Sequence, residues 1–297
     1  MLLFNLKAFV KKNNLIFLII ITGFNGFSQQ VLLKSQTKST SDFGVKRIYI
    51  NSSQNTTKLS SIEPKANSSF ENSNIESPEK VVIVSKSAPK GVDLNFLPLF
   101  GGFDKSESHQ IDDQIFLSDC DKSFNSRTEA SEFFAKMAWQ YLEEGNKNNA
   151  INRFNLSYLL NNKNIDVYWG LGVIEYQSGN SSNAVKLLND GLKLSKEPNH
   201  VLMVDLATIY LKMASENPNS LFEITKAREL LEKALFIQPS YITAYMQLTL
   251  VEILENKIDL AWETFYKGYE LNPKEINPEI LKELLNRKED PKGFFKK

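Results

Sequence analysis

The side chains that could support catalysis or hold a metal ion are few and widely separated in this chain. Histidine occurs only twice, at His109 and His200, and the single cysteine is Cys120. A catalytic triad or a zinc site needs several such groups brought to one point from different elements. Neither histidine has a pattern of ligand or triad partners, and we expect both to be exposed. We therefore predict no enzymatic activity, no cofactor and no metal site.

Acidic residues and the lone cysteine share one predicted helix, but their placement does not indicate a site. Asp112 and Asp113 stand near its start, and Asp119 and Asp121 flank Cys120. The helix dipole explains acid in a first helical turn. A lone cysteine cannot form an intrachain disulfide. We expect Cys120 to be a small buried apolar residue, with pairing between two chains as the alternative.

The first 28 residues have the organisation of a secretory signal peptide. Lys7, Lys11 and Lys12 precede a short apolar run, and small residues follow up to Ser28. The run is too short to span a bilayer comfortably, although an uncleaved anchor is the alternative. We favour cleavage after Ser28, which predicts an exported protein, periplasmic or secreted, with no transmembrane span after signal removal.

Residues 29–91 are dominated by Ser, Asn, Thr, Lys and Gln, so they cannot bury enough apolar surface to offset the entropy of ordering. We predict a disordered linker there, with a short strand at 81–84 as a minor alternative. An apolar arm, residues 94–103, follows within a segment 92–125 that ends in a helix from about residue 111 to 124. Phe116, Cys120 and Phe124 form one apolar stripe on that helix, which indicates an N-terminal cap for the structure that follows.

Four alanines carry most of the information on fold. Ala150 and Ala184 lie 34 residues apart, and so do Ala227 and Ala261. A large apolar residue follows each alanine four positions later, namely Phe154, Leu188, Leu231 and Phe265. A 34-residue period is typical of helix-turn-helix units that bury their apolar faces by stacking on one another.

The second unit continues this pattern with Tyr168, Leu171, Gly172 and Gly179, and the fourth with Tyr245, Leu248, Gly268 and Pro273. The chain therefore resembles the tetratricopeptide repeat family over about half its length. This resemblance implies an all-α, right-handed α-solenoid across residues 126–275, with units at about 131–164, 165–199, 200–241 and 242–275. Residues 276–297 are predicted to form a C-terminal capping helix, 278–286, and a charged, frayed tail.

The third unit departs from the period, because Ala184 and Ala227 are 43 residues apart. About eight of the extra residues fall between Lys212 and Phe222, in a stretch of turn-forming composition. We expect a longer loop there, and an extension of the preceding helix by one turn is a further expectation.

The resemblance also implies a binding groove lined by the first helix of each unit, helix A. In this chain the groove positions are occupied mainly by apolar and aromatic residues. Family members that bind the terminal carboxylate of a peptide have Lys and Asn at these positions, and this chain does not. The candidate partner-binding residues are Trp139, Trp169, Val173, Tyr176, Val204, Thr208, Met246 and Leu250. The alternative is that several of these side chains are core between units, since adjacent helix A faces pack together.

The arm is the second candidate surface, through Phe96, Leu97, Leu99, Phe100 and Phe103. Exposed, these side chains would promote aggregation, so we expect the arm to fold back over the groove. Docking on a second protein is the alternative.

Together these features favour a non-catalytic exported scaffold for a protein or peptide partner. The alternative is an envelope-assembly or enzyme-accessory factor that holds a polypeptide or glycan chain. The zero net charge without a basic patch argues against nucleic acid.

Overall fold

A computed structural model describes residues 86–217 and 220–295 of the chain. The predicted signal peptide, the 81–84 strand and all but the last residues of the predicted linker lie outside the described residues. Within the described ranges the secondary structure is helical, with two 3-10 turns followed by ten α-helices and no strand. The turns are Leu94–Phe96 and Pro98–Gly102, and the helices are α1 Glu107–Ser123, α2 Arg127–Glu143, α3 Lys147–Leu160, α4 Ile165–Gln177, α5 Ser181–Leu194, α6 His200–Glu216, α7 Leu221–Ile237, α8 Ile242–Leu254, α9 Ile258–Leu271 and α10 Pro278–Arg287.

Short polar side chains set where these helices begin. Ser126 Oγ accepts a hydrogen bond from the backbone N–H of Glu129 at 3.1 Å and so caps α2. Asn146, Asn164 and Asn199 likewise each accept a bond from a first-turn N–H of α3, α4 and α6. The abundant asparagines of the helical region therefore include the caps that separate one helix from the next.

The helices pair in sequence, α2 with α3, α4 with α5, α6 with α7 and α8 with α9, and each pair packs on the next. Contiguous clusters of buried apolar side chains run through the pairs. The result is the all-α solenoid that the repeat predicts, with a first helix (helix A) and a second helix (helix B) in each pair.

Both ends of the solenoid carry a helix that covers apolar surface. Phe116 and Cys120 of α1 are buried, and Phe124, directly after its last residue, is half-buried, so the predicted stripe is confirmed. The helix begins earlier than predicted, at Glu107, because Ser106 caps it. At the other end, Ile280 and Leu284 of α10 are buried against α8 and α9.

Most of the extra residues of the third pair lengthen its helices, so the prediction of a long loop is wrong: the connection between α6 and α7 is only one residue longer than those of the second and fourth pairs. Helix α6 has 17 residues where α4 and α8 each have 13, and α7 has 17 where α5 and α9 each have 14. Ala214, in the added turn of α6, is buried, which stabilises the extension. Ser220 Oγ then donates a hydrogen bond to the Ala214 carbonyl at 3.1 Å and helps to end α6. The predicted one-turn extension of the first helix is therefore confirmed.

The C-terminal tail, as far as Phe295, packs on α9, so the prediction of a frayed tail is wrong. The Phe295 ring stacks on Trp262, with ring centroids 6.4 Å apart, and meets Tyr269 edge-on at 5.0 Å. Asp290 accepts hydrogen bonds from the Tyr266 hydroxyl and from the Phe295 backbone N–H. Two adjacent phenylalanines, Phe294 and Phe295, give this otherwise charged tail enough apolar surface to bind the last helix B.

Candidate interaction surface

The helix A face, where we predicted the groove, is largely filled by its own side chains. Trp139 and Tyr176 are half-buried, and the other six candidate residues are buried: Trp169, Val173, Val204, Thr208, Met246 and Leu250. Burial raises the pKa of Tyr176 to about 12, and the nearby Glu216 adds to this effect, so the phenol stays protonated. Of the eight candidates, Trp139 and Tyr176 present the most surface. Whether a partner contacts this face stays a prediction.

Aromatic rings bridge the first two pairs along this face. The Trp139 ring meets Trp169 edge-on, with centroids 5.7 Å apart, and meets Phe154 edge-on at 5.4 Å. Trp139 therefore fills the space between α2, α3 and α4. This packing is why large side chains at the predicted groove positions contribute to the core between units.

A buried carboxyl joins the second and third helix A. The Trp169 indole N–H donates to Asp205 Oδ2 at 2.8 Å, and both residues are buried. Burial raises the pKa of Asp205 well above its ordinary value, while the indole hydrogen bond acts in the opposite direction. The pair therefore fixes α6 against α4 at the cost of burying an acid.

The arm packs on α3, the helix B of the first pair, and both of its 3-10 turns contact that helix. Leu94 and Phe100 are buried. The side-chain amide of Asn155, on α3, makes three hydrogen bonds to the backbone of the arm. Its oxygen accepts from the Leu99 N–H at 2.9 Å, and its nitrogen donates to the carbonyls of Asn95 and Leu97 at 3.0 and 2.8 Å.

Four consecutive residues of the arm adopt the left-handed backbone conformation. Leu99 and Phe100 have φ of 50° and 56°, and Gly101 and Gly102 have φ of 66° and 65°. Glycine tolerates this region, whereas other residues lose roughly 1–2 kcal/mol each there. The contacts with α3 must offset this strain in the docked arm. A cation–π contact at 3.4 Å between Lys105 Nζ and the Phe100 ring adds to them.

The expectation that the arm folds back onto the same chain is confirmed, but its expected position over the helix A groove is wrong. The arm lies on a helix B because Asn155 offers a polar group that satisfies the arm backbone there, and the helix A face is already filled. Of the five candidate arm residues, Phe100 is buried, Phe96 is 40% exposed, and the other three are half-buried: Leu97, Leu99 and Phe103.

The contacts within each helix pair decide the kind of repeat. Ala150, Ala184, Ala227 and Ala261 are all 0% exposed, as the spacing predicts. A Cβ atom on Gly172 would stand 2.0 Å from Leu188 Cδ1, so a small residue is required there for α4 and α5 to meet. These contacts have the small-against-large packing that the 34-residue spacing predicts.

Comparisons with solved structures find partial similarity to several proteins. One is Pseudomonas aeruginosa PilF, with 18% identity and a TM-score of 0.47 over 54% of this chain and 68% of that one. Another is MamA, with 24% identity and a TM-score of 0.42 over 48% and 79%. A third is TTC0263, a thermophilic TPR protein of Thermus thermophilus, with 16% identity and a TM-score of 0.45 over 53% and 80%. No protein-family model and no curated protein sequence matches the chain. The fold assignment therefore rests on this chain's own helices and their contacts.

The repeat register relates the two segments that dock on helix B. Asn155 follows Ala150 by five residues, and Tyr266 follows Ala261 by five, so both occupy the same repeat position. Asn155 binds the arm and Tyr266 binds Asp290 of the tail. The sequence did not predict either contact, because the repeat pattern describes only the positions that face the other helix of the same pair. The available hint was a polar Asn155 directly beside the core residue Phe154.

Three acidic residues of α1, Asp113, Asp119 and Asp121, form ion pairs. Asp113 pairs with Lys105, and Asp121 makes a bidentate contact with Arg127 at 2.9 and 2.8 Å. Because α1 starts at Glu107, Asp112 and Asp113 lie beyond its first turn, so the helix-dipole explanation is wrong for them. Hydrogen bonding to Arg127 lowers the pKa of Asp121.

The remaining reactive groups lie apart. Burial, together with Asp121 and Asp119, raises the pKa of Cys120 to about 11, which keeps the thiol protonated. Both histidines are half-buried, so the prediction that they are solvent-exposed is wrong. His109 Nδ1 bonds Ser106 Oγ at 2.7 Å, and burial lowers the pKa of His200.

Two negative findings apply only to the described residues. Within 86–217 and 220–295, no group of three or more His, Cys, Asp or Glu residues could hold a metal ion. In the same ranges, the helices are too short or too polar to cross a bilayer.

Proposed function

We propose that this chain is a non-catalytic interaction scaffold of the cell envelope that binds a protein or peptide partner. The observation that carries this proposal is that the solenoid already binds a peptide segment, its own arm. Asn155 makes three hydrogen bonds to the arm backbone, and Leu94 and Phe100 provide the apolar anchors. A side-chain amide that pairs with backbone groups is a means of binding polypeptide.

Export is part of the proposal and rests on the lysine-flanked apolar run in residues 1–28. N-terminal sequencing of the protein from its native host tests this part. We expect the mature chain to begin near Gln29. Recovery of intact Met1 in a membrane fraction would mean that the apolar run is retained as an anchor.

Partner binding is tested by chemical crosslinking in intact cells followed by mass spectrometry. We expect one dominant protein joined to lysines on the solenoid. Lys136 and Lys186 are exposed on two different helices, α2 and α5, and provide attachment points. The absence of any protein enriched over a strain that lacks this chain would contradict the proposal.

A further inference from the structure

The arm is the centre of a loop whose two ends are joined. The backbone N–H of Lys86 donates to Asp104 Oδ2 at 2.9 Å, and the N–H of Asp104 donates to the Lys86 carbonyl at 3.1 Å. Lys86 Nζ also lies 4.7 Å from the centroid of the Phe103 ring. Because its ends meet, the loop from Lys86 to Asp104 can leave α3 as one unit without moving α1.

The site on α3 recognises backbone more than side chains. All three Asn155 hydrogen bonds go to main-chain atoms of the arm, and two of them go to carbonyls two residues apart, at Asn95 and Leu97. Only Leu94 and Phe100 of the arm are fully buried. Any peptide with two apolar side chains six residues apart and a turn between them can offer α3 the same backbone groups and the same apolar contacts.

The arm is a strained occupant of this site. Leu99 and Phe100 are held in left-handed conformations that their side chains disfavour. Phe96, in the first 3-10 turn of the arm, keeps 40% of its surface exposed. A partner peptide with a relaxed backbone would gain the same hydrogen bonds without this strain.

We propose that the α3 face around Asn155 is a binding site for an apolar peptide turn of a partner protein, with the arm as its displaceable occupant. This inference rests on the proposed function and assigns it a site. A foreign peptide is favoured over the arm of a second copy because the joined ends at Lys86 and Asp104 keep each arm near its own α3.

The test uses a fluorescent peptide with the sequence of residues 93–103 and a solubilising lysine tail. It is titrated against the full chain and against the full chain carrying Leu94→Asp and Phe100→Asp, which releases the arm. We expect the released chain to bind the peptide at least about tenfold more tightly than wild type. Adding Asn155→Ala to the released chain should reverse this gain, whereas Asn149→Ala, at an exposed position of the same helix, should not.

Two controls keep the outcome decisive. Helical circular dichroism and the thermal midpoint establish that each variant is folded, and Phe100→Ser alone replaces the double variant if that one is not.

Equal binding by wild-type and released chains, or binding unaffected by Asn155→Ala, would overturn the proposal. A concentration-dependent dimer abolished by Asn155→Ala would also overturn it, in favour of a second copy. A partner crosslinked in cells despite a failed peptide titration would refute this site and leave the proposed function standing.

Discussion

Asn155 decides how the arm is held, because its amide satisfies three backbone groups that would otherwise need water. Replacing it with alanine keeps α3 helical, since alanine is a strong helix former. At about 0.5–1.5 kcal/mol for each net hydrogen bond, the loss should release the arm. We expect Asn155→Ala to raise the rate of limited proteolysis between Asn95 and Phe103 at least about tenfold.

Asn149→Ala is the matched control for that measurement, because Asn149 is exposed on the same helix. Its cleavage rate should equal that of wild type. If the Asn155→Ala chain were cut no faster than this control, Asn155 would not hold the arm.

Asp205 should make stability depend on pH. Its folded-state pKa is raised by burial above the unfolded value, so the folded state binds the proton more strongly. Stability from this group is therefore greatest at low pH and is lost as pH rises through the folded-state pKa. Asp205→Asn keeps an acceptor for the Trp169 indole and removes the charge. We expect its thermal midpoint to exceed that of wild type by a few degrees at pH 8, with a smaller difference at pH 4.5. The same difference at both pH values would show that Asp205 does not titrate in this range.

The helix pairs obey the repeat register, and the register makes a prediction about packing. Ala184 of α5 is completely buried against α4. Ala184→Leu should overpack this contact and lower the free energy of unfolding by about 1–3 kcal/mol. Lys186→Leu, exposed on the same helix, is the control and should change it little. Equal thermal midpoints for the two variants would contradict the register.

The sequence predicts an element well where a repeated local contact fixes it, and poorly where tertiary contacts decide its position. The paired helices were predictable because each Ala and its large neighbour must meet across a fixed contact. The helix extension around Ala214 was only partly predictable, because turn-forming residues such as Asn217 mark where a helix ends and leave its length open. The docking of the arm on α3 and of Phe295 on α9 depends on tertiary contacts with Asn155 and Tyr266 that local patterns do not encode.

At the scale of the molecule, the described residues form a solenoid whose own segments cover a helix B at each end of the repeat array. The arm lies on α3 and the tail lies on α9. Much of the helix A face is filled by its own side chains, and Trp139 and Tyr176 are the two of its eight candidate residues that are half-buried. We therefore expect a partner to bind at the partly open helix A face or at the α3 site beneath the arm.

The most direct test of the scaffold role is site-specific photo-crosslinking in the native host. A photoreactive residue replaces Tyr176 on the helix A face or Phe96 on the arm, and Lys193, exposed on α5, serves as the control position. We predict one discrete adduct with a single protein from Tyr176, from Phe96 or from both, and none from Lys193. No discrete adduct from either surface, or the same adducts from all three positions, would contradict the scaffold role.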